Sequence, residues 1–185
     1  MSNATRRVVA AACAFLVALS THAHPDEMPD SDAVRGAGAE ASPLLIMPVS
    51  GATLSSRFGP RIHPILGITR THEGVDWSAP HGAAIQVVAD GVVISTGWEG
   101  DYGYTTRIRH APGVETVYAH QSRIASGLSV GDLVEQGQTI GAVGSTGLAT
   151  GPHLHFEILV NGRPIDPLGE DLQRIGERFQ VARLR

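Results

Sequence analysis

Lysine is absent from this chain of 185 residues, and all fourteen basic side chains are arginine. Eighteen acidic residues leave a formal charge of −4, so a nucleic-acid partner finds no electrostatic footprint. Cysteine is reduced to Cys13, which excludes a disulfide framework within the chain. Aromatic residues make up only 5% while glycine reaches 22 residues, a balance that suits a turn-rich β protein better than a helical one. No bilayer-spanning helix is read from the apolar run Val8 to Leu19: it has twelve residues, where roughly 20 are needed.

That run has another reading. Arg6 and Arg7 precede it and Thr21-His22-Ala23 follows it as a small-x-small site, the pattern of an export signal over residues 1–23. An uncleaved interfacial anchor is the alternative. Cleavage would remove Cys13 with the signal and leave no stable membrane insertion. The expected location is the periplasm or cell envelope, with secretion as the alternative. Residues 24–42 are rich in Pro, Asp, Glu, Ala and Gly without apolar periodicity, with Arg35 against five acids, and read as a solvated linker. The linker is too short for a folded inhibitory prodomain. A single folded domain is expected over residues 43–168.

Within it, short apolar runs alternate with turn signals, the pattern of an all-β fold with an antiparallel sheet core. Four hairpins are expected: around Asp90-Gly91, around Ala111-Pro112-Gly113-Val114, around Glu135-Gln136-Gly137-Gln138 and around Asn161-Gly162. Helical spacing begins only after Pro167, where Leu168, Leu172, Ile175 and Phe179 mark a short amphipathic helix over residues 169–185, with Asp166 as its cap.

Chemistry concentrates in three segments. In Gly151-Pro152-His153-Leu154-His155-Phe156-Glu157, strand alternation puts His153 and His155 on one face and Leu154, Phe156 and Ile158 on the other. Two imidazoles side by side suit one metal ligand and one acid/base group. In Thr71-His72-Glu73-Gly74-Val75-Asp76, His72 and Asp76 are four apart and share a face, with Gly74 favouring an extended segment. In Thr116-Val117-Tyr118-Ala119-His120, alternation predicts Thr116, Tyr118 and His120 on one face. Together these offer two histidines and one aspartate for a catalytic zinc, which takes three protein ligands, and two further histidines that can move protons near neutrality. No H-E-x-x-H sequence is present, so histidine must replace the usual glutamate base.

The set Ser56-Arg57-Phe58-Gly59-Pro60-Arg61-Ile62-His63-Pro64, His72-Glu73-Gly74-Val75-Asp76, Tyr118-Ala119-His120 and Gly144-Ser145-Thr146-Gly147 through Glu157 resembles the LytM/lysostaphin-type zinc metalloendopeptidases. The likeness runs from about Met47 to Pro167. It implies a barrel-sandwich fold of the duplicated hybrid motif type with a groove over the antiparallel sheet, one zinc ion per chain, and hydrolysis of peptide bonds in bacterial peptidoglycan. It makes His72, Asp76 and His155 the zinc ligands and His120 and His153 the catalytic pair, without saying which is base and which acid. The chain departs from that family at Tyr102-Gly103-Tyr104, where Tyr-Gly-Asn is usual, a change at the expected groove edge.

Two other readings are weighed. Val130 to Gly141 resembles the hairpin of biotinyl and lipoyl carrier domains, but those work through a modified lysine, which this chain lacks. A catalytically silent cell-wall-binding protein, or an activator of another hydrolase, would have lost one or more site residues, and here all five positions are filled. Of the remaining groups, His63, His81 and His110 are expected to be structural or exposed. Glu157 is either a partner of a ligand imidazole or an exposed carboxylate. Arg57 and Arg61 either hold a substrate carboxylate or pair with surface acids, and Tyr118 and Tyr104 are candidate oxyanion donors.

Overall fold

The computed structural model describes residues 45–62, 65, 67–170 and 172. The chain divides into units of residues 1–40 and 41–185, and the described residues all lie in the second. The expected signal and linker, His63, and all but the first residues of the expected C-terminal helix lie outside the described residues. At the start of that last segment, the Leu168 N–H donates to Asp166 Oδ1 at 2.9 Å.

Among the described residues twelve strands follow in order: β1 (Thr53–Ser56), β2 (Gly59–Ile62), β3 (Thr69–His72), β4 (Val75–Ser78), β5 (Ala84–Gln86), β6 (Gly91–Trp98), β7 (Tyr104–Ala111), β8 (Val114–Ile124), β9 (Leu133–Val134), β10 (Thr139–Val143), β11 (His153–Val160) and β12 (Arg163–Ile165). Among the described residues the helical assignments are a 3-10 turn at Gly100–Tyr102 and the single residue Leu172. The fold is all-β and antiparallel, as its composition predicts. Ten strands make one sheet in the order β1-β4-β11-β8-β7-β6-β9, with β12 on β11 and with β10 joining β8 to β5. Strands β2 and β3 form a separate two-stranded sheet.

The expected hairpins divide by how local their pairing is. Pro112-Gly113 joins β7 to β8, and Asn161-Gly162 joins β11 to β12 with both residues at positive φ, 51° and 75°. That is the conformation a two-residue type I′ loop needs. The other two hairpins do not form. β5 pairs with β10 and β6 pairs with β7 and β9, so the strands on either side of Asp90-Gly91 part company. Likewise β9 and β10 bracket Glu135–Gln138 without pairing to each other. Asp90 acts elsewhere: its Oδ1 accepts the Gln136 N–H at 2.7 Å and so ties the two turns together.

The register of three central strands separates core from groove. Phe156 lies opposite both Val75 and Tyr118, and Leu154 lies opposite Trp77. All five are buried, and Phe156 and Tyr118 pack with ring centroids 5.3 Å apart. Burying each large apolar side chain here is worth roughly 1.5–3 kcal/mol. The alternate residues face the other way. His155 lies opposite Asp76 on β4 and Ala119 on β8, and Glu157 lies opposite Val117.

Candidate metal centre

His72 ends β3, Asp76 is the second residue of β4, and His155 is the third of β11. The β4–β11 register makes Asp76 and His155 direct cross-strand neighbours. Gly74 lets the β3–β4 connection close down on β11. A Cβ there would overlap the Phe156 carbonyl oxygen and stand 2.9 Å from Glu157 Cγ and 3.0 Å from His155 Cε1. The three ligand candidates thereby meet: His72 Nε2 is 3.0 Å from Asp76 Oδ1 and 3.0 Å from His155 Nδ1, and His155 Nδ1 is 2.8 Å from Asp76 Oδ1. All three residues are buried.

The outward-facing atoms of the same groups are fixed. His72 Nδ1–H donates to the Arg57 carbonyl at 2.8 Å, and His155 Nε2–H donates to Glu157 Oε1 at 2.8 Å. Arg61 Nη2 lies 3.3 Å from Asp76 Oδ2. In those tautomers His72 Nε2, His155 Nδ1 and Asp76 Oδ1 all present lone pairs to one another. A proton can serve only one pair of the three, whereas a cation serves all of them. Neutral imidazole nitrogen and carboxylate oxygen are the donors zinc takes, with ring orientation set from outside by carbonyls and carboxylates. The residues fit such an ion.

Electrostatics agree. Burial raises the Asp76 carboxyl, but hydrogen bonds from His155 and His72 outweigh it and hold the group well below the usual carboxylate range. Burial lowers His155, and the carboxylates of Asp76 and Glu157 on its two nitrogens overcome this and raise it to about 9. An ion entering the cluster therefore competes with a proton on His155.

The other two histidines flank the cluster. His153 Nε2 lies 3.8 Å from Asp76 Oδ1, and the His120 ring is centred 4.7 Å from that of His153 and 5.9 Å from that of His155. Each donates Nδ1–H to a backbone carbonyl at 2.8 Å, His120 to Thr146 and His153 to Gly151, which leaves each Nε2 as an acceptor. Burial pushes His120 down to about 4, opposed by the Thr146 bond and reinforced by His153 and His155, so it is neutral near pH 7. The groove over this group holds ≈ 500 Å³ and is lined by all five residues, by the β2–β3 sheet, by Tyr102 and by the loop Leu148–Pro152.

Simple alternation misplaces His120. Tyr118 and Thr116 face the core, opposite Phe156 and Ile158, while the groove face of β8 carries Val117 and Ala119. His120 reaches the groove because it adopts φ 58°, beside a shift in the β7–β8 register. A left-handed histidine is uncommon, and its presence beside four other functional candidates is a mark of a built site.

The two tyrosines singled out above take different places. Tyr118 is fully buried, and its hydroxyl accepts the Val88 N–H at 3.1 Å. Tyr104 packs edge-on against Trp98 outside the groove lining. The tyrosine that matters is Tyr102. Its hydroxyl donates to Glu157 Oε1 at 2.7 Å and its ring meets the His155 ring at 5.6 Å. Burial and the Glu157 charge both raise its pKa. Glu157 itself is 2% exposed, which decides its role as partner of His155. His110 is buried and His81 exposed. Only the Tyr-Gly-Tyr departure hinted at Tyr102, and nothing local hinted at the carbonyls of Arg57, Thr146 and Gly151.

The sequence profile of peptidase family M23 matches residues 70–167, more than half of the chain. The chain is 48% identical over 123 residues to the DD-carboxypeptidase/endopeptidase Mpg of Neisseria meningitidis serogroup B, covering 66% of this chain and 28% of that protein. It is 43% identical over 120 residues to the peptidoglycan DD-endopeptidase ShyC of Vibrio cholerae, covering 64% of this chain and 27% of that one. The chain thus spans less than a third of the length of these relatives. Among solved structures, a zinc-containing peptidase from Vibrio cholerae superposes with TM-score 0.62 at 38% identity, over 67% of this chain and 39% of that chain. The catalytic domain of lysostaphin from Staphylococcus simulans superposes with TM-score 0.57 at 32% identity, over 63% of this chain and 90% of that domain.

Proposed function

The chain belongs to peptidase family M23, and from that premise we propose that it is a zinc metalloendopeptidase cutting peptide bonds in the stem or cross-link peptides of bacterial peptidoglycan. The observation that carries this reading is the meeting of three buried lone-pair donors, 2.8–3.0 Å apart, beside two further imidazoles in an open groove. His72 Nε2, Asp76 Oδ1 and His155 Nδ1 hold one zinc ion per chain. When bound, the ion supplies Lewis-acid polarisation of a carbonyl and acidification of a water.

The chain's own residues do the rest. Glu157 and the Arg57 carbonyl lock the ligand rings in the tautomers that present lone pairs inward. His120 and His153, each anchored through Nδ1, use Nε2 to take a proton from the attacking water and return one to the leaving amine. The neutral form of His120, favoured by burial, is the competent acceptor. The groove walls orient the peptide across these groups. The reading assigns the peptidase domain to residues 43–168 behind an export signal at residues 1–23, and places its action in the cell envelope, where its substrate is.

Purified protein incubated with isolated sacculi tests the reading. Soluble peptide-bearing fragments should appear, a chelator should stop their release, and mass spectrometry should identify the new amine and carboxyl ends. His120→Ala should keep its zinc and lose release. Intact sacculi with zinc-loaded protein would contradict the assignment.

A further inference from the structure

The β2–β3 sheet stands apart from the main sheet and forms one wall of the groove. Its register sets Arg61 directly opposite Arg70, and both line the groove. Like charges directly opposite one another on a strand pair are destabilising, so this wall is built around a repulsion that an anion would relieve. Arg61 spends one donor on Asp76, with Nη2 3.3 Å from Oδ2, and makes no other ion pair among the described residues. Arg70 is exposed and forms no ion pair among the described residues. Glu73 and Asp101 also line the groove, and neither is paired with Arg61 or Arg70 among the described residues.

Arg61 touches the same carboxylate whose other oxygen belongs to the three-ligand cluster. An anion held by this pair therefore sits one side chain away from the reacting bond. Guanidinium groups take carboxylates through paired N–H donors. We propose that Arg61 and Arg70 form a carboxylate subsite that reads the leaving side of the scissile bond, recognising a free carboxylate on the carbon that bears the departing nitrogen. This rests on the hydrolase reading above and narrows its substrate class.

Two kinds of wall peptide bond carry that group. One joins a stem peptide to its terminal residue, whose own carboxylate is free. The other is a cross-link in which D-alanine acylates a diamino acid at a centre with an unblocked carboxylate. A bond inside a glycine bridge has no carboxylate at that position. One subsite thus accepts both trimming and cross-link opening and disfavours glycyl bridges.

The test uses two peptides that end in D-alanyl-D-alanine and differ only in whether the terminal carboxylate is free or amidated. Zinc-loaded protein should cleave the free acid with kcat/KM about tenfold or more above the amide, the size of one charge-assisted contact. Arg70→Gln, which touches no metal ligand, should reduce that ratio to within about threefold while zinc content stays unchanged. Arg70→Lys, which keeps the charge but not the paired donors, should fall between. Calorimetry with the zinc-loaded His120→Ala protein should show the same preference in binding alone. Equal cleavage of acid and amide, or Arg70→Gln retaining the full preference, would overturn the subsite. If sacculi are solubilised without any such preference, only the subsite fails. If neither peptide is cut and sacculi stay intact, the hydrolase reading fails and takes the subsite with it.

Discussion

Replacing Glu157 separates a metal centre held from outside from one made of three ligands alone. Glu157 Oε1 accepts both His155 Nε2–H at 2.8 Å and the Tyr102 hydroxyl at 2.7 Å, in a position 2% exposed. Burial raises its pKa, and the His155 hydrogen bond more than offsets this, so it is ionised. Glu157→Gln keeps an acceptor oxygen of the same reach but discards the charge. Hydrogen bonds to charged groups contribute about 1.5–3 kcal/mol and neutral ones about 1, so zinc affinity should fall roughly two- to thirtyfold. Glu157→Ala leaves both donors unpaired, and loss of such an outer partner lowers metal affinity by about 10–100-fold. Competition against a chromophoric zinc chelator measures both, with circular dichroism of the metal-free proteins as the control for folding. The deficit should grow as pH rises, because the proton competing for His155 is held partly by the same carboxylate. Glu157→Ala binding zinc within about twofold of wild type, in folded protein, would refute the claim that this carboxylate sets the ligand.

Other perturbations have equally definite outcomes. His155→Ala should abolish both zinc binding and sacculus digestion, whereas His120→Ala should lose only the second; near wild-type digestion by His120→Ala would remove its proton-transfer role. Gly74→Ala should destabilise the fold by about 1–3 kcal/mol in chemical denaturation and weaken zinc binding too, because the added carbon meets the Phe156 carbonyl and the His155 ring. His110 donates Nδ1–H to the Asp90 carbonyl and accepts the Thr116 hydroxyl at Nε2, and burial lowers it from 6.5 to about 4. Between those values the unfolded chain binds a proton that the folded chain does not, so stability falls as pH drops, by up to about 3 kcal/mol from this group. His110→Gln should flatten that acid slope in urea titrations, and an unchanged slope would contradict the assignment.

What could be read from the sequence was what local rules govern. Leu154, Phe156 and Ile158 against His153 and His155 is a period-2 pattern, and the strand obeys it. Pro112-Gly113 and Asn161-Gly162 close hairpins because each turn fixes its own two strands. Asp90-Gly91 carries the same signal, yet the strands beside it find partners far along the chain, β5 with β10 and β6 with β9. Non-local pairing of that kind leaves no mark within a short window. Alternation puts His120 on the face of Tyr118, yet it reaches the groove, since one left-handed residue beside a register shift undoes the alternation. The partners of the ligands were the least legible. A carbonyl at Arg57, Thr146 or Gly151 has no sequence signature, and Glu157 and Tyr102 acquire theirs only once two distant segments meet.

X-ray absorption at the zinc edge on purified, zinc-loaded protein examines the first coordination shell directly. It should return one zinc per chain with two imidazole nitrogens and one carboxylate oxygen at about 2.0–2.2 Å, completed by solvent oxygen, and His155→Ala should lose the signal. A shell without carboxylate oxygen, or zinc retained unchanged in His155→Ala, would contradict the convergence of His72, Asp76 and His155 on one ion.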